Sequence, residues 1–383
     1  MHDVRHILNS AAWHALRAAG DVEPNPMVGA AVVRDGRVIG LGHHRRFGGL
    51  HAEREALADC RRRGEDPRGA TVYVTLEPCC HHGKQPPCTD ALVEAGVARV
   101  IYARPDPHHL SCGGADVLRR AGIPCELSAE SPLATRLSDP FVKRVTTGLP
   151  WVIAKWAQTI DGRLVTGPDE PRWISNEYSR ARVHRLRARV DAIVTGIGTV
   201  LADDPLLTAR GVRRVRRVAR RVVLDPRGEL PPGCRLLQSM REGAVVLVRA
   251  GEQGPGERAA SGAGMSAGGP AATGTGAAEI LHVPGEGGLL DLAAVLRLLV
   301  DRYDATNVML ECGPRLLRAF FGAGLVDEAL VYAAPLRPGA GSAHAPPSAP
   351  GASELAGLGL GLVRSKPLAG DVELWYRRLR PPG

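Results

Sequence analysis

The stretch His51-Ala52-Glu53 and, 25 residues further on, Pro78-Cys79-Cys80-His81-His82-Gly83-Lys84-Gln85-Pro86-Pro87-Cys88 decides how this chain is read. It offers one imidazole, a carboxylate two residues later, and two thiols, Cys79 and Cys88, with eight residues between them. A catalytic zinc ion takes three nitrogen or sulfur ligands from the protein and leaves the fourth tetrahedral position to water. His51, Cys79 and Cys88 are the expected ligands, and Glu53 is the spare group, close enough to move protons without coordinating. Taken singly the elements are ordinary. A lone His-x-Glu is common, two cysteines at this spacing are more often unrelated, and a structural site would recruit Cys80, His81 or His82 as a fourth ligand. Together and in this order they point to catalysis.

The order His-x-Glu … Pro-Cys … Cys is that of the zinc nucleobase deaminases, in which the second cysteine follows after two residues. The longer gap here marks a variant within that class. The chemistry accounts for the residue types. Zinc lowers the pKa of a bound water from about 15.7 to about 7, giving hydroxide at neutral pH. Hydroxide adds to an amidine-like ring carbon, and Glu53 is expected to carry protons from the water to the ring nitrogen and to the amine that leaves as ammonia.

Length and composition bound the rest. A chain of 383 residues exceeds one ordinary core, so two domains are expected, 1–147 and 148–383. With 44% hydrophobic and 23% charged residues the composition is globular. No apolar run reaches the roughly 18 residues a membrane span needs. The N-terminus reads as an amphipathic helix over 2–19 and not as a signal peptide. Cys60, Cys79, Cys80, Cys88, Cys112, Cys125, Cys234 and Cys312 form no disulfide framework, which with a metal motif places the chain in the cytoplasm. A net charge of +9 favours anionic partners, but 4% aromatic residues argue against a base-stacking surface and so against nucleic acid. The arginine run Gly211–Arg221 reads as a solvated connection.

In the first half, Ala30–Val33 and Arg37–Gly40 flank Asp35-Gly36 as a β-hairpin. Apolar spacing predicts a helix from His51 to Arg61, placing His51 and Glu53 at its start. Strands over 71–75, 97–103 and 123–127 alternate with helices over 89–95 and 116–121, which predicts a three-layer α/β domain with a mixed sheet. The pair Pro24 and Pro26 is expected to hold Val22–Gly29 extended, and Asn25 between them is a candidate substrate contact. His44, in the polar run His43–Arg46, is another, weighed against a plain surface role.

These residues resemble one family. Asn25-Pro-x-Val-Gly29, Asp35-Gly36, Gly40-x-Gly42-x-His44, Gly48, His51-Ala-Glu53, Thr75-Leu-Glu-Pro-Cys79-x-His-x-Gly83, Pro86-Pro-Cys88 and Ala95-Gly96 are similar to the bifunctional riboflavin-biosynthesis deaminase/reductases. The resemblance implies a cytidine-deaminase-like N-terminal domain that removes the C2 amine of 2,5-diamino-6-ribosylamino-4(3H)-pyrimidinone 5′-phosphate. Lys84-Gln85 stands where the family usually has Arg-Thr, and Asp106-Pro-His108-His109 where it usually has Asp-Pro-Asn-Pro.

The resemblance continues through Lys155, Thr159-x-Asp161-Gly162, Trp173-Ile174, Val183-His-x-Leu-Arg187, Asp191-Ala192, Gly198-Thr199-Val-x-Ala-Asp203-Asp-Pro-x-Leu207-Thr-x-Arg210 and Glu311-x-Gly313. It implies a dihydrofolate-reductase-like second domain that uses NADPH. By the match, Ala157, Trp173, Thr199, Asp203 and the run Gly313-Pro314-Arg315-Leu316-Leu317-Arg318-Ala319 contact the cofactor. Arg187, Leu207, Arg210 and Glu311 contact substrate, and Lys155 and Asp203 lie at the reacting end. The residue types suit those roles, because arginine forks suit a ribosyl 5′-phosphate and a glycine turn at a helix N-terminus suits cofactor phosphates. Gly196-x-Gly198 after a strand invites a Rossmann reading, but Leu201 stands at the third glycine and Ala202-Asp-Asp-Pro205 leaves no room for a helix. Pro171-Arg172 replaces a Glu-Ser pair, and Cys312 and Pro314 replace glycines. Arg249–Ala278 and Gly339–Ser353 read as low-complexity surface loops.

The expectation is therefore a cytoplasmic homo-oligomer, dimer or tetramer, that deaminates a pyrimidine ribosyl phosphate with one zinc ion per chain and reduces its side chain with NADPH. The rival is a relative with deaminase activity alone, acting on another nucleotide, an RNA base or a specialised pyrimidine, with its second domain inactive or redirected.

Overall fold

The computed structural model describes residues 3–83, 85–160, 162–164, 173–251, 278–336 and 349–379. The chain forms two compact units, Met1–Gly148 and Leu149–Gly383.

The first unit runs α1 (Val4–Ala15), β1 (Gly29–Arg34), β2 (Arg37–His43), α2 (Ala52–Arg62), β3 (Thr71–Val74), α3 (Cys88–Glu94), β4 (Arg99–Tyr102), α4 (Gly114–Arg120), β5 (Cys125–Leu127), α5 (Pro132–Arg136) and α6 (Asp139–Thr147). Its sheet has the order β2-β1-β3-β4-β5, antiparallel on the β2 side and parallel from β3 to β5. The β1–β2 turn falls on Asp35 (φ 51°) and Gly36 (φ 73°), the pair of left-handed residues that an Asp-Gly hairpin calls for. One apolar layer lies between the sheet and α2, α3 and α4, with Val32, Val72 and Val100 meeting Leu57, Leu92 and Leu118. A second layer on the opposite face joins Ile7, Leu8 and Ala12 of α1 to Ala31, Tyr73 and Ile101. This is the three-layer sandwich expected.

Gly42 decides how closely α2 lies on β2. A Cβ there would stand 2.2 Å from Ala56 N and 2.6 Å from Ala52 O, so only glycine lets the helix backbone rest on the strand. Two local expectations change. Val22–Asn25 is turned and not extended, with Asn25 N bonded to Val22 O at 3.0 Å. The helices α5 and α6 add to the expected elements, and each begins on a serine followed by proline within its first turn, a helix-start signal.

The second unit runs β6 (Trp151–Thr159), α7 (Glu177–Arg187), β7 (Ala192–Gly196), α8 (Ile197–Asp203), β8 (Arg220–Leu224), α9 (Arg235–Gln238), β9 (Val245–Ala250), β10 (Glu279–Val283), the ribbon β11 (Gly285–Glu286) and β12 (Leu289–Leu290), α10 (Leu292–Tyr303), β13 (Asn307–Leu310), α11 (Pro314–Gly322), β14 (Glu328–Ala334), α12 (Ala352–Gly357), β15 (Leu360–Leu368) and β16 (Asp371–Arg378). Nine strands form one sheet in the order β10-β9-β8-β7-β13-β6-β14-β16-β15, parallel from β10 to β14 and closed by antiparallel β16 and β15. Both faces are covered, one by the cluster around Leu296, Leu299 and Phe320, the other by that around Val183, Leu186 and Leu236. Strands buried on both faces are what a parallel sheet requires.

Three expectations for this half are corrected. A helix does follow Gly196: α8 starts at once and takes seven residues, short because Asp204 turns left-handed (φ 39°) ahead of Pro205. The arginine run is solvated only in its first part. Arg217 pairs with Asp191, Arg220 stacks on Tyr303 at 4.1 Å, and Arg221 is buried with its guanidinium donating to Leu206 O, Ser239 Oγ, Ser239 O and Gly243 O. Strand alternation in β8 turns Arg221 inward, and those acceptors make its burial tolerable. The segment expected to be a loop through Ser353 is packed at its end, where Ala349 is buried and α12 begins at Ala352. The readings placed on Lys84, Asp161, Pro171, Arg172, 252–277 and 339–348 lie outside the described residues.

Candidate functional site

In the first unit, His51 is the residue on which α2 begins, and its ring makes no capping bond to the helix. The imidazole is turned instead toward the thiols. Its Nδ1 lies 3.4 Å from both Cys79 Sγ and Cys88 Sγ, and the ligand atoms of these residues all lie within 4.8 Å of one another. A tetrahedral zinc with bonds of about 2.05 Å to nitrogen and about 2.3 Å to sulfur separates such atoms by about 3.6 Å, so the donor set fits the ion. Among the described residues no other group of three or more His, Cys, Asp or Glu has this spacing. All eight cysteines are free thiols.

The electrostatics are those of a site suited to a cation. The Cys88 S–H and the His51 ring draw Cys79 down to about 4 against the cost of burial. Cys88 is pushed up by its bond to Cys79 and by burial. Glu53 is 3% exposed, and burial with the Cys79 charge raises its carboxyl to about 7. A carboxylic acid near neutrality is suited to passing protons in both directions. Beside His51, Asn25 Nδ2 and His44 Nε2 lie 3.2 Å apart, His44 Nδ1 is 2.9 Å from Leu50 O, and the His44 and His51 rings meet edge-on at 5.5 Å. The structure thus brings Asn25 and His44 to the metal-ligand cluster.

In the second unit, Arg187 and Glu311 form a bidentate pair, Nε to Oε1 at 2.6 Å and Nη2 to Oε2 at 2.8 Å. Lys155 Nζ stands 3.8 Å from Glu311 Oε2. Burial works against the Glu311 charge, yet the Arg187 guanidinium and Lys155 bring its pKa down to about 2. Burial pulls Lys155 below its ordinary value, with Glu311 resisting and Arg187 adding to it. Arg187 Nη1 also donates to Thr208 O at 3.1 Å, so its fork is occupied by the protein itself. Arg210 is differently placed, with one Nη1 bond to Thr208 Oγ1 at 3.1 Å. Leu207 is buried in the core with a left-handed backbone (φ 53°).

The proposed cofactor residues divide in two. Thr199 Oγ1 accepts the Gly313 N–H at 3.0 Å, joining α8 to the start of α11. Pro314 has no N–H, so Arg315 and Leu316 carry the free amides of that helix start. The Leu317 side chain is buried, Arg318 pairs with Glu354 at 3.0 Å, and Ala157 sits mid-strand opposite Tyr332. Trp173 is 61% exposed with Arg180 at 5.7 Å from its ring, and Asp203 is exposed at the end of α8.

Two family models cover the chain: the cytidine and deoxycytidylate deaminase zinc-binding region over 3–104, and the RibD C-terminal domain over 150–374. The riboflavin biosynthesis protein RibD of Aquifex aeolicus is 35% identical over 322 residues, 84% of either chain. That of Escherichia coli is 38% identical over 333 residues, again 84% of either. The chain belongs to the RibD family. Among solved structures, RibD of Acinetobacter baumannii superposes with a TM-score of 0.75 at 31% identity, covering 98% of this chain and 99% of that one. The diaminohydroxyphosphoribosylaminopyrimidine deaminase/5-amino-6-(5-phosphoribosylamino)uracil reductase of Thermotoga maritima superposes with the same score at 30% identity, covering 98% of both. As a RibD, the chain joins a zinc-dependent deaminase to an NADPH-dependent reductase of riboflavin biosynthesis, and a relative with deaminase activity alone is not favoured. No helix among the described residues is long and apolar enough to cross a membrane.

One residue quoted in the sequence motif Val183-His-x-Leu-Arg187 was given no role there. His184 Nδ1 lies 3.1 Å from Arg210 N and 3.2 Å from Thr208 O, against the loop that carries Leu207 and Arg210. The available signal was its position one helical turn before Arg187, which puts both side chains on one face of α7.

Proposed function

We propose that the first unit hydrolyses the C2 amine of 2,5-diamino-6-ribosylamino-4(3H)-pyrimidinone 5′-phosphate and that the second reduces the ribosyl side chain of the product to ribityl. The observation that carries this reading is the convergence of His51 Nδ1 and the Cys79 and Cys88 sulfurs beside buried Glu53, in a chain matched by the RibD C-terminal domain over 150–374. His51, Cys79 and Cys88 would hold zinc, which when bound supplies acidified water at neutral pH. Glu53 takes a proton from the attacking water on its carboxylate oxygen and passes it to the ring nitrogen, then takes the second proton from the hydroxyl now on the ring carbon and gives it to the departing amine. Asn25 and His44, paired at 3.2 Å, orient the pyrimidine.

In the second unit NADPH, held by the residues proposed below, would supply the hydride that a ring-opened ribosyl imine needs at C1. Lys155, held close to Glu311, furnishes the positive charge and proton that the imine nitrogen needs as it becomes an amine. Arg210 meets the substrate phosphate, while Arg187 and Glu311 hold Lys155 and the 207–210 loop in place. Leu207 then contributes backbone. Thr199, Gly313–Ala319, Ala157, Trp173 and Asp203 are the residues proposed for the cofactor, with the Arg315 and Leu316 amides suited to a phosphate. A cytoplasmic homo-oligomer completes the proposal. Its β15 edge, with Leu362 and Val363 exposed, suits pairing with a second copy, which light scattering tests.

Zinc-loaded protein given the pyrimidine phosphate is expected to release ammonia first and then consume NADPH in equal amount. Zinc-loaded protein that does neither would sink the proposal.

A further inference from the structure

The three zinc-ligand side chains sit on three segments that are distant in sequence, so the gap between them depends on what ties those segments together. His51 precedes α2, Cys79 leaves the end of β3, and Cys88 is the first residue of α3. Neither α2 nor α3 has a side-chain cap at its start. One tie is a backbone bond: Thr89 N donates to Cys79 O at 3.3 Å, fastening the start of α3 to the Cys79 loop. The other is a side chain. Arg54, one residue after Glu53, reaches across 33 residues to donate from Nη2 to Pro87 O at 2.8 Å and from Nε to Pro86 O at 3.3 Å.

Those two carbonyls belong to the residues immediately before Cys88. Neither proline has an N–H of its own with which to anchor the segment, so its bonding capacity here is in its carbonyls. A guanidinium presents several N–H groups in a fixed planar fork, which suits two neighbouring acceptors, and the rigidity of the fork carries over to the backbone it grips. A lysine in its place is a point donor and engages them less fully.

We infer that Arg54 is a positioning residue of the metal centre. It clasps the start of α2 to the turn before Cys88, sets the distance between the His51 ring and the Cys88 sulfur, and thereby slows the loss of zinc. The inference rests on the zinc reading of His51, Cys79 and Cys88. Groups that orient metal ligands from outside the coordination shell commonly change metal affinity about 10- to 100-fold when removed.

The test uses the full chain loaded with zinc. Zinc transfer to a chromogenic chelator is followed for wild type, Arg54→Lys and Arg54→Ala, and the zinc-free forms are melted in parallel. Expected is zinc release at least about 10-fold faster for Arg54→Ala, a lesser acceleration for Arg54→Lys, and zinc-free melting temperatures that coincide with wild type. Equal release rates for wild type and Arg54→Ala overturn the inference. So does a zinc-free Arg54→Ala protein that melts well below zinc-free wild type, which makes the arginine a general fold contact. Should Arg54→Ala not fold, Arg54→Gln replaces it: release faster than wild type by up to about 10-fold supports the clasp, and release equal to wild type overturns it. Failure of the underlying metal reading looks different, since wild type itself would then take up no zinc, or Cys88→Ser would hold it as firmly.

Discussion

Arg187 and Glu311, 124 residues apart in sequence, face each other fork to fork, with Lys155 3.8 Å from the same carboxylate. The pair makes a prediction about acid. Glu311 is lowered from 4.5 to about 2, so its contribution to stability is fully present above the unfolded value and is lost as pH falls through the folded one. At about 1.4 kcal/mol per unit the contribution is on the order of 3 kcal/mol. Glu311→Gln is expected to be less stable than wild type at pH 7, and the difference is expected to shrink steadily between about pH 4.5 and pH 2. Calorimetric melts across that range check it; a constant difference rejects the assignment.

Glu53 is predicted to carry the deaminase protons. Glu53→Gln keeps the shape of a buried side chain, so zinc per chain is expected to match wild type while ammonia release falls about 10³-fold. NADPH consumption on the deaminated product is expected to be unaffected. Metal analysis and the two separate assays check this, and near-normal ammonia release would remove Glu53 from the mechanism.

Gly42 is predicted to be irreplaceable. An alanine Cβ would strike the backbone of α2 at Ala56 N and Ala52 O, neither of which can swing aside as a side chain does. Gly42→Ala is expected to cost about 1–3 kcal/mol and to displace His51 and Glu53 along with the helix they begin. Deaminase activity should fall far more than reductase activity. Thermal melts with both assays decide the matter, and a Gly42→Ala protein with normal deaminase activity contradicts the packing argument.

Arg210 is predicted to read the phosphate and His184 to hold it in register. Arg210→Ala is expected to raise the reductase KM for the phosphorylated substrate about 10-fold or more, the worth of a charge-assisted hydrogen bond, with kcat little changed. His184→Leu removes the ring nitrogen 3.1 Å from Arg210 N and is expected to raise the same KM to a smaller extent. Initial-rate kinetics with phosphorylated and dephosphorylated substrate separate the two effects. An Arg210→Ala enzyme that still prefers the phosphate would refute the assignment.

Local chemistry explains what could be read directly from the chain. Asp35-Gly36 specifies a hairpin because its backbone angles are left-handed, and the apolar spacing after His51 specifies a helix because the period is 3.6. The His-x-Glu, Pro-Cys and distant Cys announce zinc because only a few side chains ligate it, and the resemblance along both halves gave the reductase. Each of these signals spans a few residues or repeats a known order.

Tertiary structure decided which charges are spent. Sequence offered Arg187 and Arg210 as equal forks, but only the fold, by setting β13 beside β6 and β7, brings Glu311 into a bidentate pair with Arg187. It likewise buried Arg221 among carbonyl oxygens, aimed Arg54 at the residues before Cys88, and drew His51, Cys79 and Cys88 into one cluster. A side chain's chemistry belongs to its residue type, whereas its partners depend on which distant segments the sheet makes neighbours, and no local pattern encodes that.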